Sequence, residues 1–491
     1  MTDSRASIES RFKPFREGTI GNDAAIAGPY GEKRLLYADW IASGRLYLPV
    51  ERRMTETCGP WVANTHSEST HCGQLMTRAY HDAREAIKAH IGARPSDALL
   101  PSGSGMTGAL CKLQRMLGLK VPEQAKAKFS LKSEERPVVF ITHMEHHSNH
   151  TSWLETIADT VVLPPDDTLL VRVSALEEAL FQYRDRPLKI GSFTAASNVT
   201  GIRTPWRELA RAMHGAGGWC FVDFAANAPY DEIRMHADDP AESADAAFFS
   251  PHKFLGGPGS SGMLAFNRAL YRNRVPDQPG GGTVRWTNRW NEYEYLDDIE
   301  LREDGGTPAF LQTIRAALAC GVKDAMGTAA IRESEEFLVR RAMEGLSAIP
   351  GVKALAADQT ERLGAISFYI EGIHYNLAVR LLSDRYGIQV RGGCSCAGTY
   401  GHYLLHVDRE TSHAITGQIH SGDLSAKPGW VRLSVHPMMT AAEIDYILNA
   451  VEDVAKNGKA WESDYVFDHG SAEWRHTHWS TAGIRGLFAP F

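Results

Sequence analysis

The chain has 491 residues, with 52 Lys and Arg against 59 Asp and Glu, a formal net charge of −7. Apolar residues make up 43% and charged residues 23%, ordinary globular values that exclude a disordered, collagen-like or disulfide-scaffold chain. The acidic balance argues against a nucleic-acid binder, and no apolar run approaches the roughly 20 residues of a membrane span.

The N-terminal text MTDSRASIESRFKPF has no continuous apolar stretch, so no secretory signal is expected. The cysteines (Cys58, Cys72, Cys111, Cys220, Cys320, Cys394 and Cys396) are odd in number and thinly spread, which predicts a reducing, cytoplasmic setting. In chain order, Ala79–His90 has helical composition, and Met106–Leu117 reads as a helix after a Gly-rich turn. Lys120–Arg136 reads as a polar surface insertion. Short apolar runs at 138–142, 160–164, 189–193, 219–224 and 246–250 read as strands, with helices at Ser174–Tyr183 and Pro205–His214 between them. Continuous apolar strands alternating with helices predict a largely parallel sheet covered on both faces. Beyond about residue 310 the rhythm changes to α+β. Helices are expected at Pro308–Ala325, Ala329–Ser347 and Thr440–Lys456, and strands at 364–372, 387–393 and 429–435. The aromatic tail from Trp461 reads as a segment packed on the body or on a partner subunit, as lid, strap or docking surface.

Chemistry concentrates at strand ends. Phe248-Phe249-Ser250-Pro251-His252-Lys253 ends an apolar strand and enters a Gly-rich turn. A surface lysine after a strand is the commoner case, but a crowded lysine amine can form a Schiff base with an aldehyde cofactor. Asp223 ends the apolar run 219–224, where a carboxylate can pair with a protonated pyridine nitrogen or serve as a turn cap. Pro101-Ser102-Gly103-Ser104-Gly105-Met106 opens a helix, an arrangement suited to a phosphate. It is neither a Walker loop nor a dinucleotide fingerprint. Glu145-His146-His147 follows a strand, and a histidine there can stack on an aromatic cofactor or relay protons. The adjacent spacing points His146 and His147 apart, so no metal site is expected.

In this order and spacing, the segments resemble the class V aminotransferase family of pyridoxal-phosphate enzymes, and within it the cysteine desulfurase/selenocysteine lyase group. The likeness runs from about Tyr37 to Leu448. It implies a fold-type I α/β architecture: a large domain with a mostly parallel seven-stranded sheet sandwiched by helices, plus a smaller α+β C-terminal domain. The expected boundaries are an N-terminal arm (1–35), a cofactor domain (36–310), a small domain (311–460) and the tail (461–491). By the same resemblance Lys253 is the Schiff-base lysine of pyridoxal 5'-phosphate, Asp223 the partner of the pyridine nitrogen and His146 the ring-stacking histidine. Asn198 lies near cofactor and substrate, and Gly103, Ser104, Gly105, Ser250 and His252 lie on the phosphate side. Gly281, Gly282 and Thr283 are similar to a segment that reaches the phosphate from a second subunit, which implies a homodimer. Arg432 matches the arginine that holds the substrate carboxylate, with Arg391 at the start of the catalytic loop. Cys396, five residues after Arg391, falls at the nucleophilic cysteine. Electropositive surroundings activate such a thiol, although Cys394 and Cys396 also read as small residues packed in a Gly-rich turn.

Three departures bear on the reaction. Ala226 stands where relatives often carry a polar side chain toward the ring hydroxyl, with Asn227 as its one nearby replacement. The loop from Cys396 to Arg432 is long and holds the polar stretch His406–Lys427. Gly393-Cys394-Ser395 replaces a His-rich run before the cysteine. The expected activity is conversion of L-cysteine to L-alanine with a persulfide on Cys396, passed on to a sulfur-acceptor protein. A C–S lyase, an aminotransferase or an epimerase shares the same Cα deprotonation and does not need Cys396, and a non-catalytic scaffold needs none of these residues.

Overall fold

Strands with no polar alternation must be covered on both faces. Such runs build the central sheet of the computed structural model, which describes residues 2–65, 68–126, 128, 129, 131–481, 483, 484, 487 and 489, with side chains from residue 8 onward. The chain divides into two units. The first comprises Ser10–Ile20 and Ile41–Glu333, the second Met1–Glu9, Gly21–Trp40 and Ser334–Phe491.

The first unit holds seven strands: β1 (Asp97–Ser102), β2 (Val138–Thr142), β3 (Asp159–Leu163), β4 (Lys189–Thr194), β5 (Trp219–Asp223), β6 (Ala246–Phe249) and β7 (Gly262–Asn267). Their spatial order is β1-β7-β6-β5-β4-β2-β3. Strands β2 to β6 pair in parallel, and β7 runs antiparallel to both its neighbours. Successive residues feed two apolar cores on opposite faces. Phe140, Val222 and Phe249 join one core, and Ile141, Phe221 and Phe248 the other. The main helices around this sheet are α1 (His71–His90), α2 (Met106–Met116), α3 (His147–Leu154), α4 (Val173–Gln182), α5 (Trp206–Gly215) and α6 (Phe310–Met326).

The mostly parallel seven-stranded expectation holds, but two members were not legible as strands. β1 contains Pro101 and lies at the sheet edge, where a missing N–H breaks no ladder. β7 has no β-branched residue. Helix α1 starts eight residues earlier than expected, at His71, because the Thr70 hydroxyl caps it by accepting from the Gly73 N–H. The 120–136 insertion holds only the short turns Glu123–Lys126 and Ser133–Glu135, with Ala127 and Ser130 outside the described residues.

The second unit holds an antiparallel sheet of β8 (Val352–Ala354), β9 (Ala365–Ile370), β10 (Arg391–Gly393) and β11 (Trp430–Ser434), in the order β8-β9-β11-β10. Helices α7 (Tyr375–Tyr386), α8 (Gly398–Leu404), α9 (Arg409–His420) and α10 (Ala441–Trp461) belong to it, as does most of the helix Thr328–Ala348, close to the Ala329–Ser347 expected. Three expectations are corrected. The single strand at 387–393 is two: Ile388–Gln389 pairs in parallel with Leu36–Tyr37, and β10 pairs with β11. The polar stretch 406–427 is largely helix α9, capped by Asp408, whose carboxylate accepts from the Thr411 N–H at 2.8 Å. The tail starts as the last turn of α10 and then forms a hairpin, Tyr465–Asp468 with Glu473–His476. It packs on its own unit: Trp474 Nε1 donates to His374 Nδ1 at 3.2 Å, and Tyr465 is buried. Ala482, Arg485, Gly486, Phe488, Pro490 and Phe491 lie outside the described residues. Among the described residues, no helix is long and apolar enough to cross a membrane.

Candidate active site

In the first unit the C-terminal ends of the parallel strands and the start of α2 gather the predicted side chains. Gly103 makes the turn out of β1 at φ 58°, in the left-handed region that glycine adopts freely. A Cβ there would stand 3.2 Å from the Gly108 Cα. Gly105, at the N-cap of α2, is extended and offers no capping side chain. A methyl on it would point at Ser250 Oγ, 3.1 Å away, and His252 Nε2, 3.5 Å away. Ser250 Oγ accepts from the Met106 N–H at 2.9 Å. The result is a cradle open to an anion: a bare glycine, a helix start with no side chain at its N-cap, a hydroxyl and an imidazole. Burial, with the Lys253 charge adding, pushes His252 down to about 4, so it faces the cradle as a neutral ring. Exposed Ser104 lies in the same turn.

Lys253 follows β6 in the turn Pro251–Lys253. Two glycines let the backbone close behind it: a Cβ on Gly44 would sit 2.0 Å from the Phe254 carbonyl oxygen, and one on Gly257 only 1.8 Å from that of Pro251. Asp223 is buried at the end of β5, and its Oδ1 accepts from the Ala225 N–H at 2.8 Å. Burial pushes its carboxyl up to about 6, while the Ala225 N–H and the Lys253 charge act the other way. It is therefore mostly ionised at neutral pH. His146 caps α3, with Nδ1 accepting from the Ser148 N–H at 3.1 Å, which leaves Nε2 to carry the ring proton.

Beneath His146 lies a buried network for which sequence reading assigned no role. The Glu145 carboxyl accepts from Thr142 Oγ1 at 2.7 Å, the Thr194 N–H at 2.9 Å and Asn149 Nδ2 at 2.7 Å. Asn149 Oδ1 accepts from Ser192 Oγ at 2.6 Å and Trp153 Nε1 at 3.1 Å. Burial pushes Glu145 up to about 8, with the Asp223 charge adding to it. The two carboxyls are thus driven apart, Asp223 ionising first. The signal in the sequence was Glu145 standing four residues before Asn149, just ahead of the N-cap of α3.

Asn198 is buried in the turn after β4. Asn227 lines a cavity of about 430 Å³ with Trp206, Arg207, Tyr230 and Arg332, none of them a residue of the cradle. Its Oδ1 accepts no hydrogen bond. Thr283 is buried, and its hydroxyl donates to the Gly280 carbonyl at 2.6 Å. Gly281 and Gly282 belong to the same turn. Among the described residues, no three His, Cys, Asp or Glu side chains form a metal cluster.

In the second unit, β10 pairs with β11 so that Arg391 stands opposite Arg432. Both converge on Asp39, which the sequence did not single out. Arg432 Nη2 lies 2.7 Å from Asp39 Oδ1, and Arg391 Nε lies 3.2 Å from Oδ2. The Arg432 side chain is 3% exposed and that of Arg391 47%, so only the first pair is held in a low-dielectric setting. After β10 the chain turns sharply over Cys394–Ala397. Cys396 is exposed, Cys394 half-buried, and Trp430 Nε1 donates to Ser395 Oγ at 3.3 Å.

The donor sets suit a phosphorylated aromatic aldehyde: an anion cradle with a bare glycine, a buried carboxylate for a ring nitrogen, and an amine at a strand end. The profile of the family described as aminotransferase class-V matches residues 36–447. A probable cysteine desulfurase 2 of Mycobacterium leprae is 29% identical over 343 residues, 68% of this chain and 77% of that protein. A probable cysteine desulfurase of Halalkalibacterium halodurans is 27% identical over 368 residues, 74% of this chain and 84% of the relative. Among solved structures, the apo cysteine desulfurase of Thermococcus onnurineus superposes with a TM-score of 0.71 at 22% identity, covering 91% of this chain and 98% of that one. The Escherichia coli cysteine desulfurase in its S-sulfonic acid form gives 0.67 at 22% identity, again covering 91% and 98%. The fold is that of these structures, and the chain belongs to the aminotransferase class-V family.

Proposed function

We propose that this chain is a pyridoxal-phosphate-dependent cysteine desulfurase, which converts L-cysteine to L-alanine and keeps the sulfur as a persulfide on Cys396. The observation that carries this reading is the exposed Cys396 thiol on a tight turn five residues after Arg391, whose strand partner is Arg432. A lyase or aminotransferase needs the arginines but not the thiol. The names of the relatives support the same reaction.

Pyridoxal 5'-phosphate, when bound, supplies an electron sink that makes a substrate Cα–H acidic. Gly105, Ser250, His252 and the N–H groups of α2 would hold its phosphate, with Gly103 and Ser104 shaping the turn. Asp223 would hold its ring nitrogen protonated, and His146 and Asn198 would flank the ring. Arg432 holds the substrate carboxylate as a bidentate pair, beside Arg391. Asp39 keeps both guanidiniums aligned. The Lys253 amine takes the Cα proton as general base. The Cys396 thiolate attacks the substrate sulfur, the carbon–sulfur bond breaks with its electron pair left toward Cβ, a proton reaches Cβ, and Lys253 returns the proton to Cα to complete alanine. We further propose a cytoplasmic homodimer, in keeping with seven free thiols. In it Gly281, Gly282 and Thr283 approach the partner's cradle, and a sulfur-acceptor protein takes the persulfide.

The test is the product set from L-cysteine with a thiol reductant, for wild type, Cys396→Ala and Lys253→Ala together. Sulfide and alanine in equal amounts, lost at least a hundredfold in both variants, is the expected result. Pyruvate and ammonia, or activity surviving in Cys396→Ala, moves the protein to the lyases.

A further inference from the structure

The turn that presents Cys396 carries a second thiol. The Cys394 carbonyl accepts from the Ala397 N–H at 3.0 Å, which closes a four-residue turn. Its central residues, Ser395 and Cys396, have φ of 51° and 57°. Positive φ at both central positions defines a type I′ turn, where Gly, Asn or Asp normally sits. A residue with a Cβ is strained at each such position. Here two successive non-glycine residues hold it, anchored by the indole of buried Trp430 on Ser395. Two virtual bonds of about 3.8 Å, folded at Ser395, bring the Cα atoms of Cys394 and Cys396 to about 5.5 Å, inside the window a disulfide spans. No other cysteine belongs to this unit. Cys58, Cys72, Cys111, Cys220 and Cys320 all lie in the first, where burial pushes the Cys220 and Cys320 thiols up.

We propose that Cys394 is the resolving thiol for Cys396, so that, when no acceptor protein takes the persulfide, the enzyme releases its sulfur as hydrosulfide from a Cys-Ser-Cys turn. This rests on the reading of Cys396 as the sulfur-accepting nucleophile. In the step, the Cys394 thiolate attacks Sγ of the Cys396 persulfide. The bond between Sγ and the terminal sulfur breaks, and its electron pair leaves with that sulfur as hydrosulfide. A disulfide forms between Cys394 and Cys396. The terminal sulfur is reduced and the two thiol sulfurs are oxidised by the same two electrons, so no outside oxidant enters. A dithiol then reduces the disulfide by exchange and restores both thiols. A bridge across one residue is strained, and strained disulfides are the readily reduced ones.

The test uses the holoenzyme and one equivalent of L-cysteine per site without reductant, so that the amino acid leaves no spare thiol. The reaction is quenched with an alkylating agent, and alanine, free sulfide and intact mass are read together. Wild type is expected to give one alanine and close to one sulfide per site, with two fewer alkyl groups than the untreated chain. In Cys394→Ser, and equally in Cys394→Ala, the alanine burst is expected with sulfide reduced at least tenfold and one extra sulfur retained on Cys396. The burst itself reports that each variant is folded. Wild type holding the extra sulfur on Cys396 as fully as the variants, or variants releasing as much sulfide, overturns the resolving role while the desulfurase reading stands. No alanine from wild type, or a burst surviving in Cys396→Ala, overturns both.

Discussion

Asp39→Asn isolates the charge that the second unit places between its two arginines. The substitution keeps shape and removes the anion from Arg432 and Arg391 at once. The two losses are unequal. Arg432 is buried, and stripping a buried ion of its partner costs about 3 kcal/mol. Arg391 is half exposed, where water already screens the pair, and its share is about 0.5 kcal/mol. At roughly 2–4 °C per kcal/mol for a unit of this size, the midpoint of thermal unfolding should fall by about 7–14 °C. Calorimetry on Asp39→Asn, Arg432→Met, Arg391→Met and the two double variants gives the couplings. The Asp39–Arg432 coupling should be about 2 kcal/mol or more, and the Asp39–Arg391 coupling should stay below about 0.5 kcal/mol. A carboxylate should also substitute for the missing one. Alanine at about a hundred times its Kd should return about 2.7 kcal/mol to Asp39→Asn, and less to wild type. Equal couplings, or an Asp39–Arg432 coupling under about 0.5 kcal/mol, would refute the claim that burial makes Asp39 the internal counter-ion of Arg432.

Two further outcomes follow from the first unit. Gly105 is extended, so Gly105→Ala strains no backbone and adds only a methyl beside Ser250 and His252. Cofactor retention on dialysis, read by visible absorbance, should weaken about ten- to a hundredfold while the apo-protein midpoint moves little; unchanged retention would remove Gly105 from the cradle. The second outcome concerns pH. His90, His143 and His252 are pushed down to about 4 and His436 to about 3, chiefly by burial. Such groups lend stability that is complete above about 6.5 and lost as pH falls toward their folded values. Asp223 and Glu145, raised to about 6 and 8, act oppositely: their contribution is complete below about 4 and lost as pH rises. At pH 5.5 these four histidines take up about 3.5 protons on unfolding and the two carboxyls release about 1.6, a net uptake of about two from these groups. Calorimetry in buffers of different ionisation enthalpy measures that number, and net release would contradict the burial of these rings.

The local chemistry of the first unit was legible in the sequence because its geometry is local. An apolar run of five residues fixes a buried parallel strand, and the residue that ends it lies at the strand's C-terminal mouth. Asp223, Lys253 and His146 could therefore be placed from their neighbours alone. The Gly103–Gly105 turn was equally readable, since a helix start with no capping side chain exposes its own N–H groups. The resemblance supplied the rest: the roles proposed for Asn198, Arg391, Cys396 and Arg432 come from matching motifs, not from periodicity.

Tertiary structure alone decided what depends on distant segments meeting. Asp39 precedes Arg391 by 352 residues and Arg432 by 393, and nothing near it in the sequence marks it as their counter-ion. Strand pairing through Ser434 brings it there. The left-handed turn at Ser395 and Cys396 was likewise hidden, because neither residue type prefers that conformation and packing on Trp430 imposes it. β1 and helix α9 escaped notice for related reasons: one carries a proline that only an edge position tolerates, and the other is a polar helix whose one strong local signal is its Asp408 cap. Short-range sterics and hydrophobic period determined which elements form and where the proposed site residues leave them. Burial, which sets the charge of Asp223 and Glu145 and the strength of the Asp39–Arg432 pair, exists only once the whole chain has closed around them.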